Sequence, residues 1–250
     1  MLKVWVGLWV GFVLATGGVF AQDTIRILFI GNSYTFANTG LNAPELPLRL
    51  KEMGSLYGKT IITDFAGAGG VTLERTWKSG KAVAKINATS YNYVVLQEHS
   101  MGTIFNSGKF ETYSQKFSEL IAQNNARPVF YMTWARQNRP TMIDTISREY
   151  IKMAGELNAI VVPCGYAWDM AGTQYPLIPL YQSDRSHARP EGVLLNTFVF
   201  YKTLFGEIPE EPLYNFQFKG TAINEDTVRK LMRVANNAFQ EISYQLGDQF

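Results

Sequence analysis

The stretch RILFIGNSYTFANTG, residues 26–40, passes from a β-branched and aromatic run directly into Gly31-Asn32-Ser33. A short apolar run that stops at a turn-forming pair predicts a strand over 25–30, covered on both faces. Four further runs share this character: 60–65 (TIITDF), 92–97 (NYVVLQ), 128–133 (PVFYMT) and 159–162 (AIVV). Between them lie helix candidates at 43–54, 72–86, 110–124 and 141–157. In the last of these, Ile143, Ile146, Tyr150, Ile151 and Met153 recur at near-helical spacing. Strands alternating with helices imply an α/β fold of three layers, α/β/α, around a central, mostly parallel five-stranded sheet with right-handed crossovers. Two more helices are expected at 190–204 and 224–246, on either side of a polar stretch at 206–223. Open parallel sheets bind ligands outside the carboxyl ends of their strands, where strand order reverses. Ser33 lies just past the first strand. The second runs into DFAGAGGVTL (64–73) and the third ends at LQEHS (96–100), so all three ends should face one crevice.

Of the 250 residues, 1–21 carry a single positive charge, Lys3, an apolar run from Val4 to Val13, and Val19-Phe20-Ala21. That order reads as a secretory signal peptide cut after Ala21, which places the protein in the periplasm or outside the cell with no stable membrane insertion. Residues 22–250 suit one domain with a sizeable core. Lys+Arg number 23 against Asp+Glu 21, a balance that argues against a nucleic-acid binder held by a basic face. Cys164 is the only cysteine, so no disulfide can form within the chain. It sits in the apolar run AIVVPCGY and reads as a small buried hydrophobe rather than a nucleophile.

A serine nucleophile needs a general base, most often imidazole. Only His99 and His187 exist, and His187 lies in YQSDRSHARPEG, three residues after Asp184. One tight turn can therefore offer a carboxylate to one ring nitrogen while the other faces a serine, which is the arrangement of a Ser-Asp-His triad. Asp-x-x-His alone is also an ordinary surface turn before a helix. Ser33 at a strand end, with no better base, favours the triad Ser33, Asp184 and His187. The nucleophile elbow G-x-S-x-G is absent, because the chain reads Gly31-Asn32-Ser33-Tyr34-Thr35.

Other signals fail. GSLYGKT (54–60) has three residues between its glycines where a P-loop needs four, and it precedes a strand. GAGG (67–70) is followed by Thr72 where a dinucleotide fingerprint needs its third glycine. Two histidines without paired ligand spacing make a metal site unexpected, and no cofactor is implied. Glu98 and His99 either polarise a substrate or line the cleft. Trp134, Arg136 and Gln137, past the fourth strand, either contact substrate or, for the tryptophan, pack beneath the loop. Asn87-Ala88-Thr89 is a glycosylation sequon, meaningful only in a eukaryotic secretory pathway.

These blocks resemble the SGNH (GDSL-type) hydrolases. GNSYT is similar to their first block, Gly-Asp-Ser, with Asn32 in place of Asp. DRSH matches their last, Asp-x-x-His. The set FIGNSYT, VVLQEHS, MTWARQ and YQSDRSH resembles a branch of exported bacterial SGNH-like proteins described only as a domain of unknown function, over roughly residues 25–205. The resemblance implies a flavodoxin-like three-layer fold and hydrolysis of acyl esters. It also implies an oxyanion hole from the N–H groups of Ser33 and Gly70, with Gly69 the neighbouring candidate. The third block departs: VVLQEHS lacks the family's asparagine, and Gln97, of like amide chemistry, would replace it. Asn32, Glu98, His99, Trp134 and Arg136 become candidate substrate contacts. The substrate expected is a small-molecule or polysaccharide ester, foremost an acetylated carbohydrate. A lipid-directed esterase and a weakly active carbohydrate-binding protein are the alternatives.

Overall fold

Five strands form one sheet, and every pairing is parallel: β1 (Ile25–Gly31), β2 (Ile61–Gly67), β3 (Tyr93–Leu96), β4 (Arg127–Tyr131) and β5 (Ile160–Val162). The computed structural model describes residues 24–36, 45–208, 217–218 and 221–247. The expected signal peptide over 1–21 lies outside them, as do the first two residues of the helix expected at 43–54. Successive strand residues point to opposite faces. Ile27 and Phe29 enter one core while Leu28 and Ile30 enter the other, all four fully buried. Val95 parts in the same way from Val94 and Leu96, and Val129 and Tyr131 from Phe130. Neither face meets water at these central positions, which is why β1, β3 and β4 read as apolar runs there, whereas the edge strand β2 is partly exposed and carries Thr63 and Asp64.

Helices α2 (Glu45–Leu56), α8 (Cys164–Gln174), α9 (Pro190–Phe205) and α10 (Glu225–Leu246) cover the face of Ile27 and Phe29. The other face carries α3 (Leu73–Lys78), α4 (Lys81–Ala88), α6 (Ser107–Gln123) and α7 (Met142–Leu157). Two single turns, α1 (Ser33–Phe36) and α5 (Gly102–Phe105), follow β1 and precede α6. Helix α9 buries every residue from Gly192 to Tyr201, because α2, α8 and α10 all pack on it. Among the described residues no helix is long and apolar enough to cross a membrane.

Three local differences from the sequence reading have physical causes. The helix expected at 72–86 is two helices, since Gly80 takes a left-handed φ of 72° between α3 and α4. Helix α8 follows β5 with Pro163 at its N-cap and no capping side chain, so its apolar start reads as a continuation of the strand. A two-residue antiparallel pair, β6 (Gln217–Phe218) with β7 (Thr221–Ala222), lies within the polar stretch at 206–223.

The strand order is β2-β1-β3-β4-β5. The chain leaves β1 for β2 and then crosses back to β3, so the order reverses between β1 and β3, and the crevice opens there. A Cβ on Gly67 would lie 1.8 Å from the Gly31 carbonyl oxygen. Only glycine lets β2 close against β1 at this edge.

Candidate active site

The turn after β1 is anchored to the two neighbouring strand ends. The Asn32 N–H donates to Gln97 Oε1 at 2.9 Å, and Thr35 Oγ1 donates to the same oxygen at 3.1 Å. Asn32 Nδ2 donates to the Val71 carbonyl at 3.0 Å, while its Oδ1 accepts the Tyr34 N–H at 3.1 Å. Gly31 is required above Gln97, because a Cβ there would come within 2.6 Å of the amide oxygen. Ser33, half-buried, projects from this turn as the first residue of α1.

The loop before α9 is equally constrained. Tyr181 and Ala188 form an isolated antiparallel bridge, the Gln182 N–H donates to His187 O at 2.8 Å, and Arg185 takes a left-handed φ of 59°. Asp184 Oδ1 accepts the N–H groups of Ser186 and His187, each at 3.0 Å, and Asp184 Oδ2 meets His187 Nδ1. The three-residue spacing therefore lets one carboxylate close the turn and hold the imidazole together. Partial burial raises the Asp184 carboxyl, but the hydrogen bonds from His187 and from two backbone N–H groups outweigh it and hold the group at about 2. An ionised carboxylate at Nδ1 keeps the proton there and leaves Nε2 as an acceptor. Nε2 lies 2.9 Å from Ser33 Oγ. The structure thus brings Ser33, His187 and Asp184 into a single hydrogen-bonded line.

Ser186, between the acid and the base, fixes the loop to the protein body. Its Oγ is 2.6 Å from the Tyr34 hydroxyl, and its carbonyl accepts Trp134 Nε1–H at 2.9 Å. Tyr34 stacks on Trp134 with centroids 4.4 Å apart, and Trp134 on Trp168 at 4.0 Å. Sequence reasoning missed Tyr34 and Ser186. The available signal was adjacency: each neighbours a site residue in the sequence.

Four expected contacts are corrected. Gln97 is not the third oxyanion donor: it is 1% exposed, its oxygen holds Asn32 and Thr35, and its Nε2 donates to the Glu98 carbonyl. Asn32 is buried and its amide ties the serine turn to the loop after β2, so its side chain serves the turn rather than the crevice wall. Trp134 is fully buried within the aromatic stack, so the packing alternative holds. Glu98 is buried as well: Oε1 accepts the His99 N–H at 2.6 Å and Oε2 the Leu73 N–H at 3.2 Å. Burial pushes its carboxyl up to about 7 despite those two donors. Cys164 is fully buried, which raises its thiol well above the usual value and bears out its reading as a core residue.

Gly70 and His99 remain at the crevice, lining a hollow of about 280 Å³ with Thr72, Arg75 and Lys109. Gly70 has a φ of 66° and open space where a Cβ would stand. Among the described residues, neither the Ser33 N–H nor the Gly70 N–H has a protein acceptor. Burial, then the positive charges of Arg136 and Arg75, lower the His99 imidazole. Arg136 also lines a second hollow of about 640 Å³ with Gln137, Asp169, Thr173, Leu177 and Tyr181, and among the described residues its buried Nε has no partner.

No protein-family profile matches the sequence, and no curated protein matches it. Solved structures do. A DUF4886 family protein from Bacteroides uniformis superposes with a TM-score of 0.70 at 18% identity, covering 90% of this chain and 97% of its own. A candidate SGNH hydrolase from Slackia heliotrinireducens gives 0.60 at 20% identity, over 73% of this chain and all of its own. A variant of Axe2, an acetyl xylan esterase from Geobacillus stearothermophilus, gives 0.56 at 16% identity over 75% and 97%. The fold of this chain is that of the SGNH hydrolases.

Proposed function

We propose that this chain hydrolyses carboxylic esters, with Ser33 as nucleophile, His187 as general base and Asp184 as the group that orients it. The observation that carries the reading is the 2.9 Å approach of His187 Nε2 to Ser33 Oγ, with Asp184 on the opposite nitrogen. As the Oγ–carbon bond forms, the Oγ proton passes to His187 Nε2 and the carbonyl π pair moves onto oxygen. The unpartnered N–H groups of Ser33 and Gly70 receive that oxyanion. Collapse expels the alcohol, which takes its proton from His187. Water, deprotonated by the same nitrogen, then adds to the acyl carbon; collapse breaks the Oγ–carbon bond, the acid leaves, and Ser33 Oγ recovers its proton from His187.

For the substrate we favour an acetylated carbohydrate. The 640 Å³ hollow beside Arg136 mixes Gln137, Asp169 and Thr173 with the ring of Tyr181, suiting a molecule that has both hydroxyls and C–H faces. Charged Arg136 and Asp169 in its wall oppose a long acyl chain. An acetyl xylan esterase among the structural neighbours supports the same choice.

A fluorophosphonate probe should label Ser33, as located by peptide mapping, and p-nitrophenyl acetate should be turned over. Ser33→Ala abolishes both, and His187→Ala abolishes turnover without loss of fold. Absence of labelling in folded protein, together with absence of turnover, overturns the proposal.

A further inference from the structure

The donor set described above is one short. Two backbone N–H groups stand free at the crevice, and the side chain expected to join them, Gln97, is locked beneath the serine turn. We infer that His99 supplies the third donor, its Nε2–H stabilising the oxyanion formed at Ser33. The inference rests on the esterase reading.

Four observations lead to it. His99 lines the same hollow as Gly70. The Met101 N–H donates to His99 Nδ1 at 3.3 Å, which makes Nδ1 the acceptor and assigns the ring proton to Nε2, on the opposite edge. Among the described residues Nε2 has no partner, so its hydrogen is free for a ligand. The backbone of His99 is fixed on both sides: its N–H donates to Glu98 Oε1 at 2.6 Å and its carbonyl accepts the Gly102 N–H at 2.7 Å.

Glu98 makes the arrangement a unit. Its second oxygen holds the Leu73 N–H at the end of the loop that carries Gly70. A single buried carboxyl therefore sets the spacing between the loop of one donor and the backbone of the other. Burial and the charges of Arg136 and Arg75 keep His99 neutral. A neutral imidazole offers its N–H to the developing oxyanion without a fixed positive charge that would retain the carboxylate product. His99 keeps its proton throughout; only the carbonyl electron pair moves, onto oxygen during attack and back on collapse.

The test uses His99→Ala and His99→Gln with p-nitrophenyl acetate, folding being checked by circular dichroism. A glutamine amide nitrogen reaches about as far as imidazole Nε2 and restores a donor. The alanine variant should lose about 10²–10³-fold in kcat with KM within about threefold, and glutamine should recover at least about tenfold of that loss. The inference is overturned if alanine keeps more than about a fifth of kcat, if the loss lies in KM, or if glutamine is no better than alanine. Should the native protein neither turn over ester nor label at Ser33, the esterase reading falls and His99 with it. With a labelled, active native protein, the other failures concern His99 alone.

Discussion

Glu98→Gln probes the carboxyl that spaces the two loops. In the native fold this group is 3% exposed and titrates at about 7, against an ordinary value of 4.5. Between those values the folded chain holds a proton that the unfolded chain has released. Its contribution is therefore greatest below about 4.5 and is lost as pH rises to about 7. A gap of about 2.5 at about 1.4 kcal/mol per pH unit gives about 3–4 kcal/mol, lost mainly between about pH 4.5 and 7. Glutamine cannot ionise, so this decline should vanish. Its amide nitrogen would face one of the two N–H donors of Leu73 and His99, at a penalty of about 1–3 kcal/mol. The variant should thus be less stable at about pH 5, with the gap closing or reversing by about pH 8. Urea unfolding followed by tryptophan fluorescence at intervals across that range measures it. The lowered His99 imidazole has the opposite sign, with stability rising as pH rises, but it is common to both proteins and cancels in the difference. A native-minus-variant difference constant to within about 0.5 kcal/mol across the range refutes the reasoning.

Tyr34→Phe removes the hydroxyl that grips Ser186 Oγ and frees the loop of Asp184 and His187. Stability should fall by about 1 kcal/mol and kcat by about tenfold with KM little changed; unaltered kcat would show that the grip is not needed. Gly67→Ala sets a methyl 1.8 Å from the Gly31 carbonyl, so the edge of β1 and β2 must part. The melting temperature should drop by an amount reflecting about 1–3 kcal/mol or more, and an unchanged melting temperature would mean that the edge yields freely.

The central strands were legible because burial on both faces leaves no room for polar residues, as in Ile27 to Ile30. Helix α8 was not, because it begins without a polar cap and shares its apolar start with β5. At the site, scarcity helped: with only two histidines, the partner of Ser33 followed from the Asp-x-x-His spacing. What spacing could not convey was the direction of a side chain. Gln97 and Asn32 carry amides suited to a ligand, yet both turn inward, because a strand end needs acceptors and donors for its own turn. Trp134 presents the same limit, since an aromatic past a strand end serves loop or substrate according to a rotamer the sequence does not record.

Ser33 and His187 are 154 residues apart. The serine follows the first strand, whereas its base precedes α9, whose Phe200 ring centroid lies 5.6 Å from that of Phe29 in β1. A nascent chain or fragment ending before residue 190 holds all five strands of the sheet, the serine and its base, but not α9, which covers the Phe29 face of the sheet. Such a chain leaves part of one face of its sheet uncovered. If the proposed esterase activity needs that cover, its recovery during refolding should time the docking of α9 rather than the collapse that precedes it.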